Sequence, residues 1–147
     1  ATLNILGDGF LMHKLKEKAK LLDLTRNIIF HGNVDTEVKW KMLQNAKSLI
    51  STSLIEGFAI VRFEALSAGC TLVSTNTGGA EFLENREHLG IFVVNPYAHE
   101  IANAMKESLS NNYFANEMIV QRQQISAVMD PKSISNLLLR AFASKES

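Results

Sequence analysis

The order of apolar and polar positions along this chain alternates between two periods. Leu3-Asn4-Ile5-Leu6 is a short apolar run stopped by Gly7-Asp8-Gly9, which predicts a strand and a tight turn. Leu11, Leu15, Ala19 and Leu22 then recur at helical spacing, with lysines between them on the outer face. Asn27 to Phe30 reads as a second strand, ended by His31-Gly32-Asn33. Val38, Met42, Leu43 and Ala46 follow a helical period, with Asp35 or Thr36 as N-cap. Lys47 to Thr52 is a third strand, Ile60 to Ala68 a helix ended by Gly69, Thr71 to Ser74 a fourth strand and Ile91 to Val94 a fifth. Helices follow over Ala98 to Leu109, broken by Asn111-Asn112, over Tyr113 to Val128, and from Pro131 to Ala143. In the last, Ile134, Leu137, Leu138, Ala141 and Phe142 make one apolar stripe.

Short, apolar strands alternating with helices at crossover spacing predict an α/β fold with a Rossmann-like, doubly wound parallel sheet covered on both faces. The 147 residues are expected to form one domain. A doubly wound domain carries a strand–helix unit before the position where this sequence opens, so the chain is expected to be part of a longer protein.

Composition narrows the function. An apolar fraction of 46% excludes a disordered chain. A net charge of zero with no basic block argues against nucleic acid as a partner. One cysteine excludes a disulfide framework and a Cys-rich zinc site. The longest apolar run, near Ile91–Val94, is far below membrane-spanning length, and neither a signal peptide nor an Asn-x-Ser/Thr sequon is found, so a cytoplasmic location is expected. The charge is uneven: residues 51–100 carry Arg62 and Arg86 against six glutamates, which leaves the central third acidic.

Ligands of open parallel sheets bind beyond the carboxyl ends of the strands. Three loops belong there: Gly7-Asp8-Gly9, Ser53 to Ala59, and Thr75 to Glu81. The second leads into a helix starting near Phe58 or Ala59, whose unpaired N–H groups and dipole suit a phosphate or diphosphate. Gly57 and the small Ala59 let a ligand approach the backbone. Glu56 in the loop and Glu64 one turn into the helix either take ligand hydroxyls or are ordinary acids favoured by the dipole; spacing alone leaves both readings open.

The stretch Glu56-Gly57-Phe58-Ala59-Ile60-Val61-Arg62-Phe63-Glu64 resembles the E-x7-E signature of family 4 retaining glycosyltransferases of GT-B fold. Leu72 to Glu81, with Gly78-Gly79, resembles the strand, Ser/Thr, Gly-Gly and Glu that follow it, and Leu3–Gly9 and Ile29–Val34 resemble upstream segments of the same family. The resemblance implies the donor-binding, C-terminal half of such an enzyme, without its first strand–helix unit. It implies that Glu56 meets the donor sugar beside the reaction centre and that Glu64 accepts hydrogen bonds from ribose hydroxyls. Amides of Gly57, Phe58, Ala59, Ile60 and Val61 would hold the diphosphate. Val34 and Lys39 would flank the base, and Gly78 and Gly79 would keep the neighbouring loop narrow. A UDP-, GDP- or ADP-sugar is the implied donor, and the acceptor, a glycan, a lipid or another molecule, falls to an N-terminal domain, as does any membrane contact. No metal and no cofactor are implied, in keeping with the lack of an Asp-x-Asp or His/Cys cluster.

This sequence departs from the family pattern at three points. Ala59 replaces the usual Gly and Thr71 the commoner Pro. Arg62 stands where an apolar residue is common; two residues from Glu64, it is placed on a surface or interface. The basic strand that would bring an Arg and a Lys to the diphosphate is not in this sequence, so the isolated chain is expected to be inactive. A non-catalytic binding or assembly module of the same fold is the alternative. An NAD-binding oxidoreductase domain is a third, opposed by the lone Gly7-x-Gly9. His13, His88 and His99 are read as solvated or packing residues, His31 as structural near the rim, and Cys70 as a buried small hydrophobe.

Overall fold

A computed structural model describes residues 1–127. The elements run β1 (Leu3–Leu6), α1 (Met12–Leu21), β2 (Ile28–Gly32), α2 (Thr36–Asn45), β3 (Ser48–Ser51), α3 (Ile60–Ser67), β4 (Thr71–Thr75), β5 (Ile91–Val94), α4 (Ala98–Ser108) and α5 (Asn116–Ala127). Single 3-10 turns lie at Ala80–Phe82, Glu87–Leu89 and Asn111–Phe114, the last at the predicted Asn-Asn break. The strand-helix alternation matches the expectation. The final predicted helix, with its stripe from Ile134 to Phe142, lies outside the described residues.

All strand pairs are parallel and fall into two sheets, β1-β2 and β3-β4-β5. The chain correspondingly forms two compact units, Ala1–Met42 and Leu43 onward. In the first unit, Asp35 is the N-cap of α2: its Oδ1 accepts the Val38 N–H at 2.8 Å. Gly7 turns the chain out of β1 at φ +108°, a conformation that disfavours a side chain. Burial alternates along β1 and β2, and Asn4, Leu6, Ile29 and His31 are exposed, so the expected cover on both faces does not hold there. His31 Nε2 is hydrogen-bonded to Asn4 Oδ1 at 2.8 Å on the neighbouring strand.

The second unit holds the core. All five residues of β4 are buried, as a central strand covered on both faces requires. Phe63 and Leu66 of α3 pack with Leu72, Leu83, Leu89 and Ile91. Thr71 does more than stand in for a proline. Its N–H donates to Lys47 O at 2.9 Å, a bond proline lacks, and its Oγ1 lies 3.0 Å from Ser108 O, tying β4 to the end of α4. Cys70 is buried as expected, and its Sγ donates to Leu43 O at 3.2 Å; burial pushes the thiol up to about 11. Among the described residues, no helix is long and apolar enough to cross a membrane.

Candidate functional site

The loop between β3 and α3 carries Glu56 and Gly57, and the loop after β4 carries Gly78 and Gly79. The two loops touch through their backbones. A Cβ placed on Gly78 would lie 2.2 Å from Gly57 O and 2.4 Å from Glu56 O, so no side chain fits between them. Gly79, at φ +84°, lies under the Phe58 ring, where a Cβ would come within 2.9 Å of that ring. Phe58 itself is anchored: its ring stacks on Phe63 with centroids 5.3 Å apart and meets Phe82 edge-on at 6.3 Å.

Side chains of the second loop fasten the first. Thr75, at the end of β4, donates its Oγ1 proton to Ser53 O. Ser53 Oγ in turn donates to Glu56 Oε2 at 3.5 Å. Glu56 is exposed on this rim, and Glu64 is half-buried one turn into α3. Both carboxylates therefore belong to the second unit. Val34 and Lys39 belong to the first unit, Val34 before α2 and Lys39 within it, with the Lys39 Nζ 5.9 Å from the Trp40 ring centre.

The start of α3 differs from the expectation in detail. The helix opens at Ile60, with Ala59 as its cap at φ −76° and ψ 85°. That conformation is close to an inverse γ-turn, and the Ile60 N–H donates to Phe58 O at 2.9 Å. The Ile60 amide is thus committed within the loop. Ala59 is buried, backbone as well as methyl.

Arg62 corrects the sequence reading. It is fully buried, at 0% exposure, not on a surface or interface. Its Nη1 donates to Gly78 O at 2.9 Å and to Thr77 O at 3.2 Å, and its Nη2 to Thr77 Oγ1. Nε has no hydrogen-bond partner. Burial lowers the guanidinium's pKa, while the carboxylates of Glu56 and Glu81 work the other way. The sign of its position was present in the sequence: Ala59, Arg62, Phe63 and Leu66 follow the i, i+3, i+4, i+7 pattern of a buried stripe, and all four are buried. Weighing Arg62 only against Glu64 hid that.

Among the described residues, no cluster of three or more His, Cys, Asp or Glu side chains is arranged to hold a metal ion. A cavity of about 300 Å³ beyond the ends of β4 and β5 is lined by Asn76, Glu84, Glu87 and Glu100; its three carboxylates make it a poor seat for a phosphate.

The sequence pattern of the family described as glycosyl transferases group 1 matches residues 1–124. The alpha-1,3/1,6-mannosyltransferase ALG2 of Dictyostelium discoideum is 28% identical over 113 residues, covering 77% of this chain and 27% of that protein. The poly(glycerol-phosphate) alpha-glucosyltransferase of Bacillus subtilis is 30% identical over 135 residues, covering 86% of this chain and 19% of its own length. This chain therefore spans less than a third of either relative. The Anabaena protein Alr3699/HepE, solved in complex with UDP and glucose, superposes with a TM-score of 0.78 at 21% identity, over 97% of this chain and 40% of that one.

Proposed function

The chain belongs to the glycosyl transferases group 1 family, and from that premise we propose that it forms the part of a retaining glycosyltransferase that binds a nucleotide-diphosphate sugar. The observation that carries the reading is the contact of Gly78 with the Glu56–Gly57 backbone and of Gly79 with the Phe58 ring at the entry to α3, with Ala59 buried. With no side chain between the loops, a diphosphate can approach the backbone N–H groups at the start of α3. In this reading the E-x7-E carboxylates divide the donor: Glu56 takes sugar hydroxyls at the rim, and Glu64 takes those of the ribose. Amides of Gly57, Phe58, Ala59 and Val61 and the N-terminus of α3 meet the diphosphate, whose charge grows as the sugar leaves. Fixed dipoles stabilise that charge without reorganising, so no metal is required. That the Anabaena protein was solved with UDP and glucose supports a nucleotide sugar as donor. The acceptor is bound by a part of the protein outside this sequence.

The second reading, a non-catalytic module of the same fold, draws on the committed Ile60 amide and on a site rim where two glutamates face a single, buried arginine.

Titrating the labelled chain with UDP, GDP and ADP, then with their sugar conjugates, tests the proposal by NMR. The expected result is shifts centred on amides 57–61 and around Glu64, with one base preferred. Glu64→Ala should weaken nucleotide binding by about 1–3 kcal/mol, the scale of a hydrogen bond to a charged group. Equal affinity of wild type and variant would remove Glu64 from the site, and no shift with any nucleotide at millimolar concentration would favour the module.

A further inference from the structure

We infer that Arg62 is a positioning residue of this site: its guanidinium holds the Thr77–Gly78 carbonyls so that the glycine loop seats against Glu56 and Gly57. The inference rests on the reading of that rim as the donor site, and it names the part that keeps the rim in place.

A fully buried guanidinium has lost its hydration, and only its hydrogen bonds compensate. Those bonds go to one place. Thr77 O, Gly78 O and Thr77 Oγ1 all belong to the turn after β4. No carboxylate is among these hydrogen-bond partners, so the group acts on backbone that no regular strand or helix fixes.

What that turn touches gives the clamp its purpose. Gly78 packs against the carbonyls of Gly57 and Glu56 with no space for a methyl group. A shift of a few tenths of an ångström at Gly78 is therefore transmitted to the backbone that carries the Glu56 carboxylate. The charge matters as well. The carbonyls of Thr77, Gly78, Glu56 and Gly57 crowd one spot, and Glu56 and Glu81 add negative charge around it. The buried cation offsets that field where an anionic ligand would have to approach. Its planar fork is needed too, because two carbonyls and a hydroxyl are held by two nitrogens in one plane; lysine keeps the charge but not the fork.

The test compares Arg62→Lys, Arg62→Gln and Arg62→Met with the parent chain, and Arg122→Met serves as a control that removes a buried arginine from elsewhere in the same unit. Two readouts are taken: the ligand-free amide positions of Gly57, Gly78 and Gly79, and the affinity for UDP, GDP and ADP. We expect Arg62→Gln and Arg62→Met to move all three glycine amides, leave Leu72 and Val73 in place, and weaken nucleotide binding at least tenfold. Arg62→Lys should recover part of the affinity, and Arg122→Met should leave both readouts unchanged. Unmoved glycine amides in Arg62→Met, or moved amides with undiminished affinity, would overturn the inference. If the parent chain binds no nucleotide, the proposed function has failed, and the glycine amides still decide whether Arg62 sets the loop. Should Arg62→Met not fold, Thr77→Val removes one acceptor and is read at the same three amides.

Discussion

Two buried arginines serve the two ends of α3, and they are held differently. Arg122, from α5, closes the far end: its Nε and Nη2 donate to Gly69 O at 3.2 and 2.8 Å, and its Nη1 to Leu89 O at 2.9 Å. Every nitrogen of that guanidinium is bonded, and the carbonyls belong to the helix exit and the approach to β5. Arg62, in the first turn of the same helix, leaves its Nε unpartnered and has two glutamates as electrostatic neighbours. Both side chains satisfy carbonyls where the chain is irregular. At the far end the requirement is closed and the result is a packed seam. At the near end a donor is left over and the loop held is the one beside Glu56. The contrast separates an arginine that closes a packed seam from one that holds the loop proposed as a binding rim.

The sharpest way to break this comparison is Arg122→Met. The Gly69 and Leu89 carbonyls would both lose their donor, at about 1–3 kcal/mol each, so urea unfolding should show a loss of about 3 kcal/mol or more. Nucleotide affinity of the molecules still folded should not change; if it falls in step with stability, the two ends of α3 are not separable. Next in size is Gly78→Ala, which acts at the near end. The added methyl meets backbone oxygens that cannot swing away, and overpacking of this kind costs about 2–3 kcal/mol. Here the expected signature is the reverse of the first: nucleotide binding lost more completely than stability, seen by titration alongside a thermal melt.

The smallest effect belongs to the far end and is read by pH. Cys70 is raised to about 11 in the folded chain from an ordinary value of 9.0, chiefly by burial, with Arg122 pulling it down. The folded state therefore keeps its proton where the unfolded state has lost it. Its contribution is fully present below pH 9 and is lost as pH rises through 11, with about 2 kcal/mol gone by pH 10.5. Cys70→Ala should remove that part of the pH dependence when urea midpoints are compared at pH 8 and pH 10.5. An unchanged slope would place the titration in another group.

Much of this architecture was legible in the order of residues. The Ile91–Val94 strand was read to the residue, and Asp35 proved to be the cap of α2 because a carboxylate at that spacing can reach only the open N–H groups of its own first turn. Gly78 and Gly79 were expected to keep a loop narrow; Gly78 lies against the Glu56–Gly57 backbone and Gly79 against the Phe58 ring. The covered faces foreseen for every strand held for β4 and not for β1 and β2, since alternation of burial depends on which neighbours a strand has, not on its own apolar content. Cys70 was recognised as a buried hydrophobe from its place at a helix end. Arg62 was misread because a charge on an otherwise apolar stripe points to solvent only if nothing inside can bond it.

Residue order alone carries the alternation of parallel strands and helices, the loops that hold the glutamates and glycines, and the family to which the chain belongs. These follow from local periods, turn residues and spacing, which act within a few residues. Folding is what brings Gly78 against Gly57, commits the Ile60 amide to Phe58 and buries Arg62 against Thr77 and Gly78. The Gly78–Gly57 and Arg62 contacts join segments 15 or more residues apart. They depend on which carbonyls a folded loop leaves unpaired, a quantity that exists only once the strands have packed.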